Sequence, residues 1–278
     1  MSRKKIIWSD NKVNQFIKEG RGQGEGAKYI PWLKVGDFSS LGRCHRIKDT
    51  RNGRTHHFFS DLEKNYYYYL FWNEDIIDIR EQYPLFPVFE TEEIANKLGI
   101  KHPQYNGFNT VMTTDILFTT FNKMYARSLK MSTDISKQRI REKLEIEKVY
   151  WDKRGIDFKV VTEKSFSRVV ARNVEKLFGY YEFPFKNMDM TEQTRLSEEL
   201  IKNILMNENK TVSEICMNRD VKENMKSGCN LNLFFHLASR KIIPINIENS
   251  ILPTKKIKQI INMDLLKRME AKVFENLA

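Results

Sequence analysis

Apolar and polar residues recur along this chain in two rhythms, and the switches between them outline its elements. Residues 60–72, SDLEKNYYYYLFW, repeat apolar side chains at helical spacing, with Leu62, Tyr66, Tyr69 and Leu70 on one face and Ser60 placed as the N-cap. The stretch 111–131, VMTTDILFTTFNKMYARSLKM, alternates with a period near two and predicts two strands joined by a tight turn at Asn122-Lys123. A helix is expected from Ser136 to Arg154, ending at Gly155, then a β-branched strand from Phe158 and another helix from about Phe166 to Phe178. Upstream, Asn11 to Lys18 reads as a short helix, and Ile76–Ile79 and Leu85–Phe89 read as short extended segments around Pro84 and Pro87. A helix followed by strand, strand, helix, strand and helix describes an α/β core with a mixed sheet, closing near residue 180.

The segment YYEFPFKNMDM has no period and reads as a linker. From Thr191 the pattern becomes helical, with helices at about 191–206, 211–225 and 230–240. KIIPINI, a turn at Glu248-Asn249, LPTKKIKQI and a final helix from Met263 follow. Three helices and a hairpin resemble a winged helix, a helix-turn-helix variant that binds DNA or protein. The expected organisation is therefore an α/β domain over 1–180 and a mainly α winged-helix domain over 185–278, in keeping with a length of 278 residues.

Composition narrows the class. With 41% hydrophobic and 30% charged residues, and no window near the roughly 20 apolar residues that span a bilayer, no membrane segment is expected. The basic start MSRKKIIWSD lacks a signal-peptide core, which points to the cytoplasm. Cys44, Cys216 and Cys229 are odd in number and lack CxxC spacing, so they read as free thiols rather than a disulfide framework or a zinc site. The formal net charge of +11 favours a polyanionic partner, although a solvated basic surface gives the same excess. Residues 1–60 carry 13 Lys and Arg against 5 Asp and Glu, which concentrates the excess in a basic N-terminal patch. Within it, GRGQGEG spaces glycines at 20, 22, 24 and 26. No GKS or GKT follows, so the stretch is either a flexible loop or a loop that contacts phosphate, and not a nucleotide-binding fingerprint.

Candidate chemistry gathers on the expected hairpin. Asp115 heads one strand and Lys130 lies near the end of the next, and strand alternation lets an acid and a lysine share a face. Phosphodiester hydrolysis calls for a hard cation held by carboxylates and a positive charge near the attacking water or the developing transition state. Asp115 and Lys130 supply those two parts, but an exposed acid and a surface lysine would look the same. Glu63, one turn into its helix, completes the capping box Ser60-x-x-Glu63 and so has a structural use of its own. Glu147 falls on the apolar stripe of Ile140, Leu144 and Trp151, a costly place for a carboxylate unless a lysine or a metal offsets it. His56 and His57 point to opposite faces of an extended segment and are assigned no metal. The run Tyr66–Tyr69 reads as helix surface and core rather than a base-stacking platform.

GRGQGEGAKYIPWL, GRTHHFFSDLE, DIREQYPL, KHP, MTTDILF and REKLEIEKVYW, in this order and spacing, resemble the TnsA family, the endonuclease subunits of Tn-seven-like transposases. The resemblance covers nearly all of the first domain. It implies a restriction-endonuclease-like PD-(D/E)xK core followed by a winged-helix domain, with Glu63, Asp115 and Lys130 as catalytic acid, acid and lysine. It makes Glu147 a further acid near the site. The motif's usual Glu or Gln two residues before the lysine is Ser128 here, which leaves Glu63, Asp115, the Leu129 carbonyl and Glu147 as the ligands for magnesium, with manganese as a substitute. It also implies double-stranded DNA at transposon ends as substrate and nicking of the non-transferred strand near the 5' ends. The implied partners are a DDE-type transposase, TnsB, and an AAA ATPase, TnsC, met through the C-terminal domain. The residues alone leave two rivals open: a stand-alone restriction or repair endonuclease, and a winged-helix DNA-binding regulator whose first domain is a scaffold.

Overall fold

The computed structural model describes residues 6–37, 42–185 and 188–275, with side chains to residue 270. The basic residues Arg3 to Lys5 and two residues of the expected linker, Lys186 and Asn187, lie outside the described set. The chain separates into two compact units between Phe166 and Ser167, a helix earlier than the expected linker.

The first unit opens with α1 (Asp10–Lys18), started by Ser9, whose hydroxyl accepts the Lys12 N–H. The glycine-rich loop follows and is packed against the fold: a Cβ on Gly22 would meet Pro84 Cγ at 2.3 Å, and Gly22, at φ +75°, donates its N–H to Ile30 O. A hairpin of β1 (His45–Lys48) and β2 (Thr55–Phe58) leads into α2 (Asp61–Phe71), where Ser60 caps the helix by accepting the Glu63 N–H. Tyr67 is fully buried on α2, whereas Tyr69, expected on the core face, is partly exposed. Strand β3 (Ile76–Pro84) is longer than expected, and the second extended segment runs at Val88 and Phe89 into α3 (Val88–Lys97). A small hairpin of β4 (Gln104–Tyr105) and β5 (Phe108–Asn109) precedes β6 (Thr113–Thr120), β7 (Met124–Leu129), α4 (Gln138–Asp152) and β8 (Asp157–Val161).

The central sheet has the order β3-β6-β7-β8. β6 pairs antiparallel with β3 and β7, while β7 pairs parallel with β8 through the α4 crossover, giving the expected mixed sheet. Leu117 and Ala126, opposite each other on β6 and β7, pack with Ile94 and Ala95 of α3 and with Ile146, Tyr150 and Trp151 of α4. Each large side chain fully buried there contributes roughly 1.5–3 kcal/mol. The Lys130 N–H donates to Val161 O at 3.0 Å, which carries the parallel ladder one residue past β7 and fixes the backbone where the lysine leaves the sheet.

The second unit is helical: α5 (Arg168–Phe178), α6 (Met190–Met206), α7 (Val212–Lys222), α8 (Cys229–Ser239), α9 (Ile257–Ile260) and α10 (Met263–Glu275). Leu196, Leu200 and Ile204 recur at four-residue spacing on α6 and are buried, as are Leu233, Phe234 and Leu237 on α8. α5 belongs to this unit because the Asn173 amide donates to the carbonyls of Ile247 and Asn249. The expected C-terminal hairpin is reduced among the described residues to the isolated bridge of Ile245 with Ile261, the stretch read as its second strand contains α9 instead, and Lys256 bridges to Thr211 at the start of α7. The described cysteines are all free thiols, and no described helix is long and apolar enough to cross a membrane.

Candidate active site

β6, β7, α2 and α4 bring four of the singled-out side chains into one electrostatic cluster. Asp115, on β6, receives the Leu129 N–H at 2.6 Å and the Lys130 ammonium at 2.7 Å, both on Oδ2. The same ammonium donates to the Leu129 carbonyl at 3.0 Å, so one cation bridges two oxygens, a carboxylate and a backbone carbonyl. Asp115 and Lys130 are only partly exposed, at 15% and 29% of the side chain, which sets them apart from an acid and a lysine left in solvent.

Glu63 makes its helix-cap contacts and also faces the sheet that carries Asp115. Its oxygens accept from Phe59 N at 3.0 Å and Ser60 Oγ at 2.8 Å, the cap contacts, while Oε2 also faces the Gln82 amide at 3.4 Å. Burial and the neighbouring Asp115 charge push the Glu63 carboxyl up to about 7, against the pull of the Phe59 and Ser60 donors and of Lys130. Glu147 is more deeply buried and accepts from Ser128 Oγ at 2.9 and 3.1 Å and from Thr114 Oγ1 at 3.1 Å. Trp151 Nε1 in turn donates to Thr114 Oγ1 at 2.7 Å. Burial is the main cause that raises the Glu147 carboxyl to about 7, with Lys130 lowering it and Asp115 raising it. Burial opposes the charge on Lys130, but Asp115, Glu147 and Glu63 outweigh it and hold the ammonium above its ordinary range.

Asp115 thus holds the Lys130 ammonium directly, while Glu63 and Glu147 feel its charge and Lys143 stands near enough to feel that of Glu147. Burial and the crowding of acids favour the protonated form of both buried glutamates, and a divalent cation could take the place of those protons. The donor set is all oxygen, as a hard cation requires, and Asp115 with the Leu129 carbonyl already converges on one positive charge. Among the described residues no three His, Cys, Asp or Glu side chains form a ready-made metal cage, so full coordination would draw on that carbonyl and on water.

Ser128, in the place where an acid or amide is usual, is fully buried and binds Glu147 through its hydroxyl. The residues that sequence reasoning passed over are Thr113, Thr114 and Gln82. Gln82 links Glu63 to Thr113 Oγ1, which donates to Gln82 Oε1 at 3.1 Å. Its only signal was its place in the block DIREQYPL. His56 and His57 do diverge, His56 toward Glu81 and His57 toward the Val35 N–H.

The N-terminal charge is thinner than its count. Arg21 is paired with Glu19 and Asp37, and Arg54 is buried against Glu81. Lys18, Lys28, Arg43, Arg46, Lys48 and Arg51 remain on the exposed surface.

Comparison with known proteins agrees with this geometry. Residues 73–163 match the family described as TnsA-like endonuclease N terminal, and residues 167–247 match the TnsA endonuclease C terminal. The chain is also 33% identical over 275 residues to the transposon Tn7 transposition protein TnsA of Escherichia coli, covering 96% of this chain and 98% of that protein. Similarity that runs through both units and almost end to end, over a core built as a mixed α/β sheet, establishes that this chain belongs to the TnsA endonuclease family.

Proposed function

We propose that this protein is the endonuclease subunit of a heteromeric cut-and-paste transposase, nicking the non-transferred DNA strand near the 5' ends of its element. The observation that carries the reading is the convergence of Asp115, Lys130 and the Leu129 carbonyl, with Glu63 and Glu147 each close enough to feel the charges of Asp115 and Lys130. Family membership implies a divalent cation, which we take to be magnesium, held by Asp115 and the Leu129 carbonyl with Glu63 and Glu147. When bound, it would polarise a phosphoryl oxygen and lower the pKa of a water. Lys130 keeps a positive charge beside Asp115, where negative charge develops on the phosphate, and its raised pKa keeps it charged through the neutral range. Glu63 and Glu147, raised to about 7 without the cation, would give up their protons on binding it.

Ser128 favours the rival reading of the first unit as a scaffold. Against it, the Ser128 hydroxyl is engaged by the Glu147 carboxylate, so an acid from α4 stands beside the position where the motif's own acid is missing. The second unit, with α6, α7 and α8 in the order of a winged helix, is proposed to contact an AAA ATPase, TnsC. A DDE-type transposase, TnsB, would join the 3' ends, and double-stranded transposon ends are the proposed substrate.

Transposition in cells with the partner subunits present tests the assignment, scoring simple insertions against cointegrates by long-read sequencing. Asp115→Ala and Lys130→Ala are expected to leave the 5' strands uncut, so that products shift from simple insertions to cointegrates. Simple insertions at normal frequency from both variants would overturn the catalytic roles, and loss of every product would assign these residues to assembly.

A further inference from the structure

Gln82 has a backbone that its side chain does not prefer. It lies within β3, yet its φ is +49°, in the left-handed region that Gly, Asn and Asp take far more readily than glutamine. The pairs Glu81–Ile116 and Tyr83–Thr114 bracket it on β3, which sets Gln82 across from Asp115 on β6. Its carbonyl turns aside to accept the Trp32 N–H at 3.2 Å. That backbone contact would be made by glycine at lower conformational cost, so it does not account for a long amide at this position.

The amide has its own use. Gln82 is 4% exposed, and its two ends are both engaged: Nε2 donates to Glu63 Oε2 and Oε1 accepts from Thr113 Oγ1. Of the donors to Glu63, Phe59 and Ser60 lie at the helix start and draw the carboxylate into the cap, whereas Gln82 reaches it from the sheet that carries Asp115. Asparagine would suit the left-handed backbone but is one methylene shorter, too short to join α2 to β6 in this way.

We infer that Gln82 is a positioning residue: strained backbone at this point of β3 aims an amide that holds the Glu63 carboxylate toward Asp115 instead of leaving it to its helix cap. The inference rests on the nuclease reading above and adds a residue that acts through Glu63 without touching the reacting atoms. Its consequence is that fold and site make opposite demands on position 82, since the side chain that serves the site strains the strand.

Full-length Gln82→Gly and Gln82→Met separate these demands. Glycine relieves the backbone and removes the amide, while methionine keeps the bulk and the strain but offers no hydrogen bond. Metal-free thermal unfolding, manganese binding by electron paramagnetic resonance, and the insertion-to-cointegrate ratio in cells are the readouts, with Asp115→Ala in parallel. Expected are an unfolding midpoint for Gln82→Gly at or above the parent, manganese affinity at least fivefold weaker in both variants, and products shifted toward cointegrates. Parental manganese affinity in either variant, or stability lost together with affinity in both, would make Gln82 a residue of the fold alone. Cointegrates from Asp115→Ala beside simple insertions from both Gln82 variants would overturn the positioning role and leave the nuclease reading standing. Simple insertions from Asp115→Ala would remove the nuclease reading and this inference with it.

Discussion

Around β2 and β3, Asp49 and Glu81 are buried against Arg51, Arg54 and His56; around β6 and β7, Asp115 holds the ammonium of Lys130, and Glu63 and Glu147 feel its charge. Burial is comparable, yet the acids respond in opposite directions. Burial works against the charge on Glu81, but His56 and Arg54 outweigh it and hold the carboxyl down to about 2. Asp49 is likewise held well below its usual range, with His56 and Arg51 overcoming its burial. His56, desolvated but caught between the two carboxylates, is raised. In the second cluster burial prevails, and both glutamates rise to about 7. The first cluster is closed, because Arg51 and Arg54 match Asp49 and Glu81 one for one and His56 bridges the two carboxylates. The second is open: Lys130 pairs with Asp115, Lys143 is near Glu147 with no ion pair to it among the described residues, and both glutamates stay raised. A closed cluster supports the hairpin, and an open one is suited to receive a cation.

The sharpest way to break this comparison is to make the same substitution in both clusters. Glu81→Gln leaves Arg54 and His56 buried without their counter-charge and should cost about 3–5 kcal/mol at pH 8 in urea denaturation. Glu147→Gln removes an uncompensated buried charge while keeping an acceptor for Ser128 and Thr114, and should stabilise by about 1 kcal/mol. Equal losses from the two would mean that the site cluster is closed as well.

The pH dependence sharpens the same contrast. Glu147 has a raised folded pKa, so its stabilising contribution is complete below the unfolded value near 4.5 and is lost as pH rises through about 7. Metal-free protein should therefore lose about 2–3 kcal/mol relative to Glu147→Gln between pH 4.5 and 8, at about 1.4 kcal/mol per unit. For Glu81 the sign reverses: its contribution is complete above about 4.5 and disappears as pH falls toward 2. Unfolding midpoints of parent and variant that run parallel across this range would contradict the assignment.

A smaller signal is expected when a divalent cation replaces the protons. Magnesium binding at pH 7 should release about one proton, read by calorimetry in buffers of different ionisation enthalpy. Glu147→Gln should reduce that release, and Glu81→Gln should leave it unchanged. The smallest effect concerns charges that belong to neither cluster. Replacing exposed Lys28 and Lys48 by alanine should weaken DNA binding of the full chain by similar factors on all sequences and lower the salt slope by about 2. A salt dependence unchanged from the parent between 50 and 200 mM would move the DNA path elsewhere.

Elements with an uninterrupted period and a clear end were legible before any coordinates. α2 had Ser60 at its start, the β6–β7 hairpin had its turn at Asn122-Lys123, and α4 ended at Gly155. β3 was truncated on reading because Arg80, Glu81 and Gln82 are polar and nonetheless buried, at 5%, 0% and 4% exposure, so the alternation that marks a strand disappears where its side chains enter polar networks. Only Val88 and Phe89 of α3 fall in the segment read as extended, and the rest of the helix gives a weak signal because it follows Pro87 and buries only Thr91, Ile94 and Ala95. The C-terminal wing misled in the opposite sense: KKIKQI is β-branched and alternating, but Ile257 and Ile260 bury their side chains from a single helical turn.

By itself the sequence determined the helices and strands whose faces are simply apolar, and it marked Asp115, Lys130, Glu63 and Glu147 as candidates, each with a structural use of its own, whose joining into one catalytic set came from the resemblance to the TnsA family. The elements were determined because periodicity and capping act over a few positions. Only the tertiary structure decided that Glu63 serves cap and cluster at once, that Ser128 holds a carboxylate from α4, and that Gln82 reaches across from β3. It also decided which buried charges are closed and which are open. Those outcomes depend on distances between groups from separate elements and on the water removed from between them, and a carboxylate's protonation is set by that surrounding field, which no local pattern encodes.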